Sequence, residues 1–86
     1  MQSQQKPCEM KPFPLARRVG KVRDVAAKML TKTTDRHASS YRAQVTDALL
    51  GHLERIGVDE AEQAEQLGAF WLVVQQEMIR LTYRAA

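Results

Sequence analysis

Two histidines are the most chemically versatile side chains in this 86-residue chain, and their spacing limits what they can do. His37 and His52 fall on one predicted helix, where their fifteen-residue separation corresponds to roughly 22 Å along the axis. Neither has a Cys, Asp or Glu one helical turn away that would complete a familiar set of metal ligands. We therefore expect no metal site and no cofactor, and we expect His52 to be a partly buried helix residue.

The other candidate nucleophiles and acids also lack catalytic partners. Cys8, the only cysteine, lies in a polar segment without a partner that would activate its thiol, and a single thiol suits a reducing cytoplasm. Ser39 and Ser40 fit a solvated helix face, and the chain has no glycine-rich phosphate loop. Helix capping and the helix dipole explain the acidic residues near the start of the last predicted helix, which are Asp59, Glu60, Glu62 and Glu65. The chain is therefore predicted not to be an enzyme.

Charge is distributed unevenly along the chain. Residues 1–32 carry eight Lys or Arg against two acidic residues, whereas residues 33–86 carry five Arg against eight acidic residues, for a net charge of +3. A basic arm on a slightly acidic body fits nucleic-acid contact, attraction to an acidic protein surface, or solubility alone.

The length allows one domain, preceded by a polar tail. Residues 1–12 are rich in Gln, Ser, Lys and Pro without periodicity, so we predict a disordered tail there and a helical domain over residues 13–86. No apolar run is long enough for a membrane span, and the first ten residues lack the apolar stretch of a signal peptide. The predicted location is the cytoplasm.

Apolar residues spaced three and four apart predict three amphipathic helices near residues 14–30, 36–56 and 60–84. Pro14 suits the first helical position, and Gly57 suits the residue after a helix end. With short connections and no candidate strand, the fold class is all-α, a three-helix bundle with a disordered N-terminal tail.

Capping residues support the predicted boundaries. Thr34 or Asp35 can accept the free N–H groups at the start of the second helix. Asp59 followed by Glu62 has the capping-box spacing at the start of the third. The predicted core consists of Leu15, Val19, Val22, Met29, Tyr41, Val45, Leu49, Leu53, Ile56, Leu67, Trp71, Val74, Met78 and Leu81.

The last helix has more apolar surface than one core stripe requires. Leu72, Ile79 and Tyr83 lie roughly 120–160° around the helix from Leu67. The stripe either binds a partner or packs inside the monomer, against helix one or a tail folded back around Phe13, and the sequence leaves both alternatives open.

DNA recognition through a helix-turn-helix is a weaker interpretation. The joint around Gly57 is short enough, but the helix that would enter the major groove begins with Glu60, Glu62 and Glu65, which phosphates repel. The arginines of helix one can contact a phosphate backbone without reading sequence. We therefore expect no specific nucleic-acid binding.

The opening motif is the most specific pattern in the chain. Pro12-Phe13-Pro14-Leu15-Ala16-Arg17-Arg18, followed by Val22-Arg23 and Ala26 and later by Glu77-Met78-Ile79-Arg80, resembles a family of small helical α-proteobacterial proteins classed as a domain of unknown function. The resemblance covers about residues 12–84. The chain departs from that pattern in its late helix. The pattern has an acidic residue, a leucine and a tryptophan before the arginine, whereas Trp71 of this chain lies well before Arg80.

The chain also resembles the antiactivators associated with transfer of integrative conjugative elements. That resemblance implies a small non-catalytic protein that binds a LuxR-type quorum-sensing activator and keeps it from switching on transcription. We expect the contact to use Leu72, Ile79 and Tyr83 as apolar anchors, with Arg17, Arg18 and Arg23 as supporting charges. The alternatives are a small basic nucleic-acid-binding protein and a homodimeric structural or interaction module.

Overall fold

The computed structural model describes residues 14–85, which form a short 3₁₀ turn and three α-helices. The turn spans Leu15–Arg17, α1 spans Val19–Leu30, α2 spans Asp35–Arg55 and α3 spans Glu60–Ala85. The described part of the chain contains no strand, which confirms the predicted all-α three-helix fold. The predicted disordered tail, residues 1–12, lies outside the described residues.

The predicted start of the first helix is wrong by one turn. A 3₁₀ turn follows Pro14, in which the N–H of Arg17 donates to the carbonyl of Pro14 at 3.0 Å. Arg18 then leaves helical geometry with φ −81° and ψ 81°, and α1 begins only at Val19. The turn is held by Gln66 of α3, whose Oε1 accepts the N–H of Leu15. The periodicity of the sequence does not show this break, because the contact joins distant parts of the chain.

The other helix boundaries follow the predicted caps. Thr34 Oγ1 accepts the N–H of His37 at 3.1 Å and begins α2, and Asp59 Oδ1 accepts the N–H of Glu62 at 2.9 Å and begins α3. Gly57 has φ 84°, and the N–H of the next residue, Val58, donates to the carbonyl of Leu53 at 3.0 Å. This Schellman ending turns the chain from α2 into α3.

Helix α3 contacts every other element of the described chain. Leu15 lies against its first turns near Gln66, and Leu30 lies near Ile79, so α1 runs in the same direction as α3. Helix α2 runs the opposite way, since Arg18 at the start of α1 contacts His52 near the end of α2. The bundle is therefore up-down-up, with α3 as its shared support.

The core lies between α1, α2 and α3. Val19 and Ile56 were predicted to be buried, but they are 54% and 45% exposed because each lies at a helix end. Phe70 and Val25 were not predicted, yet they are 0% and 1% exposed. The buried apolar side chains are Leu15, Val22, Val25, Ala26, Val45, Leu49, Leu53, Phe70, Trp71 and Val74.

Most residues of α3 are exposed, so a large share of this helix is open to a partner. Within residues 14–85, no helix combines the length and apolar character that crossing a membrane requires.

Candidate functional site

The surplus apolar stripe of α3 is exposed. Leu72 is 56% exposed, Ile79 51% and Tyr83 78%, whereas Val74 on the opposite side of the helix is 1% exposed. Because α1 and α2 both pack on the side of α3 that carries Val74, neither covers this stripe. We call the surface formed by Gly68, Leu72, Gln75, Ile79 and Tyr83 the outer face of α3; its residues fall within about 80° around the helix.

Two grooves border the outer face. The α2 groove, of about 540 Å³, lies between α2 and α3 and is lined by Arg42, Thr46, Leu67, Gly68, Trp71, Leu72 and Gln75. The α1 groove, of about 450 Å³, lies beyond the end of α1 and is lined by Leu30, Gln75, Met78, Ile79, Thr82 and Tyr83. Gln75 lines both grooves, so they follow one another along α3.

The α2 groove has a fixed cation at its edge. The guanidinium carbon of Arg42 lies 4.3 Å from the ring centroid of Trp71, and the indole N–H donates to Thr46 Oγ1 at 3.1 Å. Phe70 meets the same ring edge-on, with centroids 5.3 Å apart. The ring is held on three sides, so the guanidinium that stacks on it is oriented beside an apolar surface.

The α1 groove is more apolar than the α2 groove. Leu30, the last residue of α1, is 44% exposed and faces the groove together with Ile79 and Tyr83. Sequence analysis did not assign Leu30 or Arg42 to a site. Leu30 could have been found as an apolar residue at a helix end, whereas nothing in the sequence distinguishes Arg42 from the other exposed arginines.

The structure does not bring the three predicted arginines to the outer face. Arg17 is exposed on the 3₁₀ turn, and Arg18 donates to Nε2 of His52 at 3.3 Å. Arg23 lies close enough to Glu77 for its charge to lower the pKa of that carboxyl group. None of these arginines lines either groove, and their contacts differ: Arg18 faces α2, whereas Arg23 lies near Glu77 of α3.

An ion pair occupies another side of α3. Arg80 donates to both carboxylate oxygens of Glu77, at 3.0 and 2.6 Å. These hydrogen bonds, with the charges of Arg23 and Arg84, hold the pKa of Glu77 below its ordinary value and raise that of Arg80. The two residues are three positions apart on the helix surface, and surface ion pairs of this kind contribute little to stability.

The described residues contain no group of three or more His, Cys, Asp or Glu side chains placed to hold a metal ion. His37 faces a polar depression with Thr33, Ser40 and Tyr41, while His52 contacts Arg18 near the opposite end of α2. His52 is half-buried, as the sequence predicted.

A protein-family model matches residues 6–86, and its description is a family of unknown function, DUF6074. The match covers nearly the whole chain, including the opening motif, the three helices and the outer face of α3. No curated protein and no solved structure matches the chain.

Proposed function

Given that the chain belongs to the family of unknown function DUF6074, we propose that it is a non-catalytic regulatory protein that binds another protein. The outer face of α3 supports this proposal most directly. It presents large apolar side chains between two grooves on a rigid 26-residue helix. Isolated exposed apolar residues are ordinary, but a contiguous set beside grooves is typical of interaction surfaces.

A micromolar complex would need more contact than the outer face alone can provide. Fully burying one large apolar side chain stabilises a complex by about 1.5–3 kcal/mol, and Leu72 and Ile79 still expose only about half of their surface. Together with Tyr83 they supply roughly 3–6 kcal/mol, below the ~8 kcal/mol of a micromolar complex. A partner of that affinity therefore also needs contacts such as Leu30 and Arg42 in the grooves.

We propose that the partner is a transcriptional activator of the LuxR type, which this chain holds inactive in the cytoplasm. This assignment draws on the family resemblance of the opening motif, on the small size of the chain and on the lack of a recognisable catalytic motif in its sequence, which together resemble the small antiactivators. The structure is compatible with it, since an inhibitor that acts by occupying a partner needs an apolar face and steering charge. Arg17 and Arg23, which are exposed outside the outer face, supply that charge.

A reporter assay with a matched pair of variants tests this function. Cells that carry a reporter gene under the target promoter of a LuxR-type activator express that activator. They also express either the wild-type chain or the double variant Leu72→Asp/Ile79→Asp. We expect the wild-type chain to lower promoter activity, and the double variant to restore it, because aspartates on the outer face would be buried against the partner. Circular dichroism and thermal melting establish that the variant keeps its helices.

The control is Ala43→Asp/Ile56→Asp, because these apolar residues are exposed and lie outside the outer face and off α1. Both double variants carry the same charge change, so only the location differs. If the control relieves repression as fully as the outer-face variant, the face is not the binding surface. If the wild-type chain represses none of the activators and purifies with none, the proposed partner class is wrong.

A further inference from the structure

The two grooves on α3 are placed symmetrically about the middle of the outer face. The α2 groove extends towards the start of the helix, at Gly68 and Leu72, and the α1 groove towards its end, at Ile79 and Tyr83. Gln75 is the boundary between them. A two-fold antiparallel interface pairs each half of the face with the other half of the second copy's face, so a groove in each half can receive a side chain from the opposite half.

Side chains of the two halves also lie opposite one another when two copies of α3 run antiparallel. With the two-fold axis between Gln75 and Gln76, Leu72 lies level with Ile79 of the second copy. In the same register, Gly68 lies level with Tyr83 of the second copy. Each contact occurs twice, since an isologous interface repeats every pair.

Gly68 provides the space that this register needs. A Cβ atom built on Gly68 would meet nothing within 4 Å, so the surface beside it is open. Tyr83, the most exposed large apolar residue at 78%, is the side chain that the register places there. The aromatic ring would enter the α2 groove near Arg42, while Leu72 would enter the α1 groove of the second copy.

The charges at the helix ends favour the antiparallel direction. The first turns of α3 carry Glu60, Glu62 and Glu65, and its last turns carry Arg80 and Arg84. Antiparallel pairing brings the acidic end of each copy beside the basic end of the other. In this register Arg84 lies opposite Leu67 of the second copy, about two residues from Glu65. Parallel pairing would bring like charges and like helix dipoles together.

We propose that the outer face of α3 pairs with the outer face of a second copy in an antiparallel two-fold dimer. The contact covers one helix face, so its buried area is small for a specific interface. We therefore expect a dissociation constant on the order of tens to hundreds of micromolar. The inference deepens the proposed function and rests on it for one consequence: the dimer covers the face that binds the partner, so self-association and partner binding exclude one another.

Sedimentation equilibrium of the purified full chain, from about 10 µM to 1 mM, is the first measurement. The wild-type chain is expected to shift from monomer to dimer across this range. Gly68→Leu should weaken the dimer at least tenfold while keeping the fold, because leucine favours helix over glycine and a Cβ at this position has no atom within 4 Å in the monomer. Gly20→Leu is the matched control, since Gly20 is an exposed helical glycine that also has nothing within 4 Å.

Crosslinking tests the direction of pairing. In a Cys8→Ser background, Gln76→Cys places a thiol beside the proposed axis, and Ala61→Cys places one in the first turn of α3. A bismaleimide with a spacer of about 10 Å should join two copies of the Gln76→Cys variant, because paired helices lie about 8–10 Å apart. It should not join Ala61→Cys, whose thiols would be roughly 44 Å apart along the helix axis.

Each contrary result overturns the proposal. A monomer at all concentrations excludes the dimer, crosslinking of both cysteine variants indicates parallel helices, and an undiminished Gly68→Leu dimer places the contact elsewhere. The promoter reporter separates this inference from the proposed function. A monomeric chain that still represses refutes only the dimer, and a dimer without any repression refutes only the proposed partner.

Discussion

The backbone N–H of Leu15 donates to Oε1 of Gln66 at 3.0 Å, joining two buried residues that are 51 positions apart. The amide group of Gln66 in turn donates to Oε2 of Glu62 at 3.1 Å. Pro14 has no N–H, so the amide of Leu15 is the first that the turn must satisfy. Gln66 therefore positions the segment that carries the sharpest motif of the chain.

Gln66→Leu is expected to lower the free energy of unfolding by about 1–3 kcal/mol, because it leaves the buried N–H of Leu15 without an acceptor. Urea unfolding monitored by helical ellipticity measures the loss. Gln44→Leu is the control, since Gln44 is exposed on α2 and lies outside the outer face. Equal stability of the two variants would show that the Leu15–Gln66 bond does not support the fold.

Gly57 and Gly68 should respond to alanine with opposite signs. Gly57→Ala forces a Cβ into φ 84° and should cost about 1–2 kcal/mol. Gly68→Ala, inside a helix with open space around it, should stabilise the monomer by about 0.5–1 kcal/mol. Thermal melting at low concentration measures both changes, and a loss of stability at Gly68 would mean that its surroundings are occupied.

Phe70 and Leu72 test the separation between core and outer face within one helical turn. Phe70→Ala should cost about 3–5 kcal/mol, because the ring is 0% exposed and its removal leaves a cavity. Leu72→Ala should change monomer stability by less than about 1 kcal/mol, since more than half of that side chain is in water. Comparable losses at both positions would place Leu72 in the core and exclude the outer face as a binding surface.

The Glu77–Arg80 pair predicts a pH dependence below the ordinary carboxyl value of 4.5. Because the folded pKa of Glu77 is lowered, its contribution is present above that value and is lost as the pH falls through the folded pKa. An NMR titration of the Glu77 carboxyl carbon should give a pKa below 4.5, and Arg80→Gln should raise it. Lys28→Gln, which removes the separate pair with Asp24, should leave that pKa unchanged.

Sequence-specific duplex binding is expected to be absent. The basic residues exposed along α1, such as Lys21 and Arg23, are suited to phosphates, but the short joint at Gly57 leads into a helix that begins with acidic residues. Fluorescence anisotropy with promoter and scrambled duplexes at physiological salt measures this. Submicromolar binding that prefers the promoter would favour DNA recognition over the proposed protein contact.

The helix boundaries that the sequence predicted are those set by local chemistry. Thr34, Gly57 and Asp59 act within one turn of their own positions, so their roles can be read from neighbouring residues. The start of α1 depends on Gln66, a residue half a chain away. No local pattern contains that information, and the predicted helix therefore began one turn too early.

The missed core residues have a related cause. A single stripe through Leu67, Trp71 and Val74 leaves out Phe70, which lies on the neighbouring row of the same helix. Both rows are buried because α3 has a neighbour on each flank. The same arrangement exposes Leu72 and Ile79, and only the positions of α1 and α2 distinguish a buried row from an exposed one.

The bond between Leu15 and Gln66 also has a consequence for the order of folding. Helices α2 and α3 are joined by a tight turn, so their pairing closes a short loop, whereas docking of the first turn closes a loop of about 50 residues at greater entropic cost. We expect the α2–α3 hairpin to form early and the Pro14–Arg17 segment to dock late. The segment that follows Pro14 would then be the last part of the domain to dock, and the amide of Leu15 would exchange with solvent through openings that leave the hairpin intact.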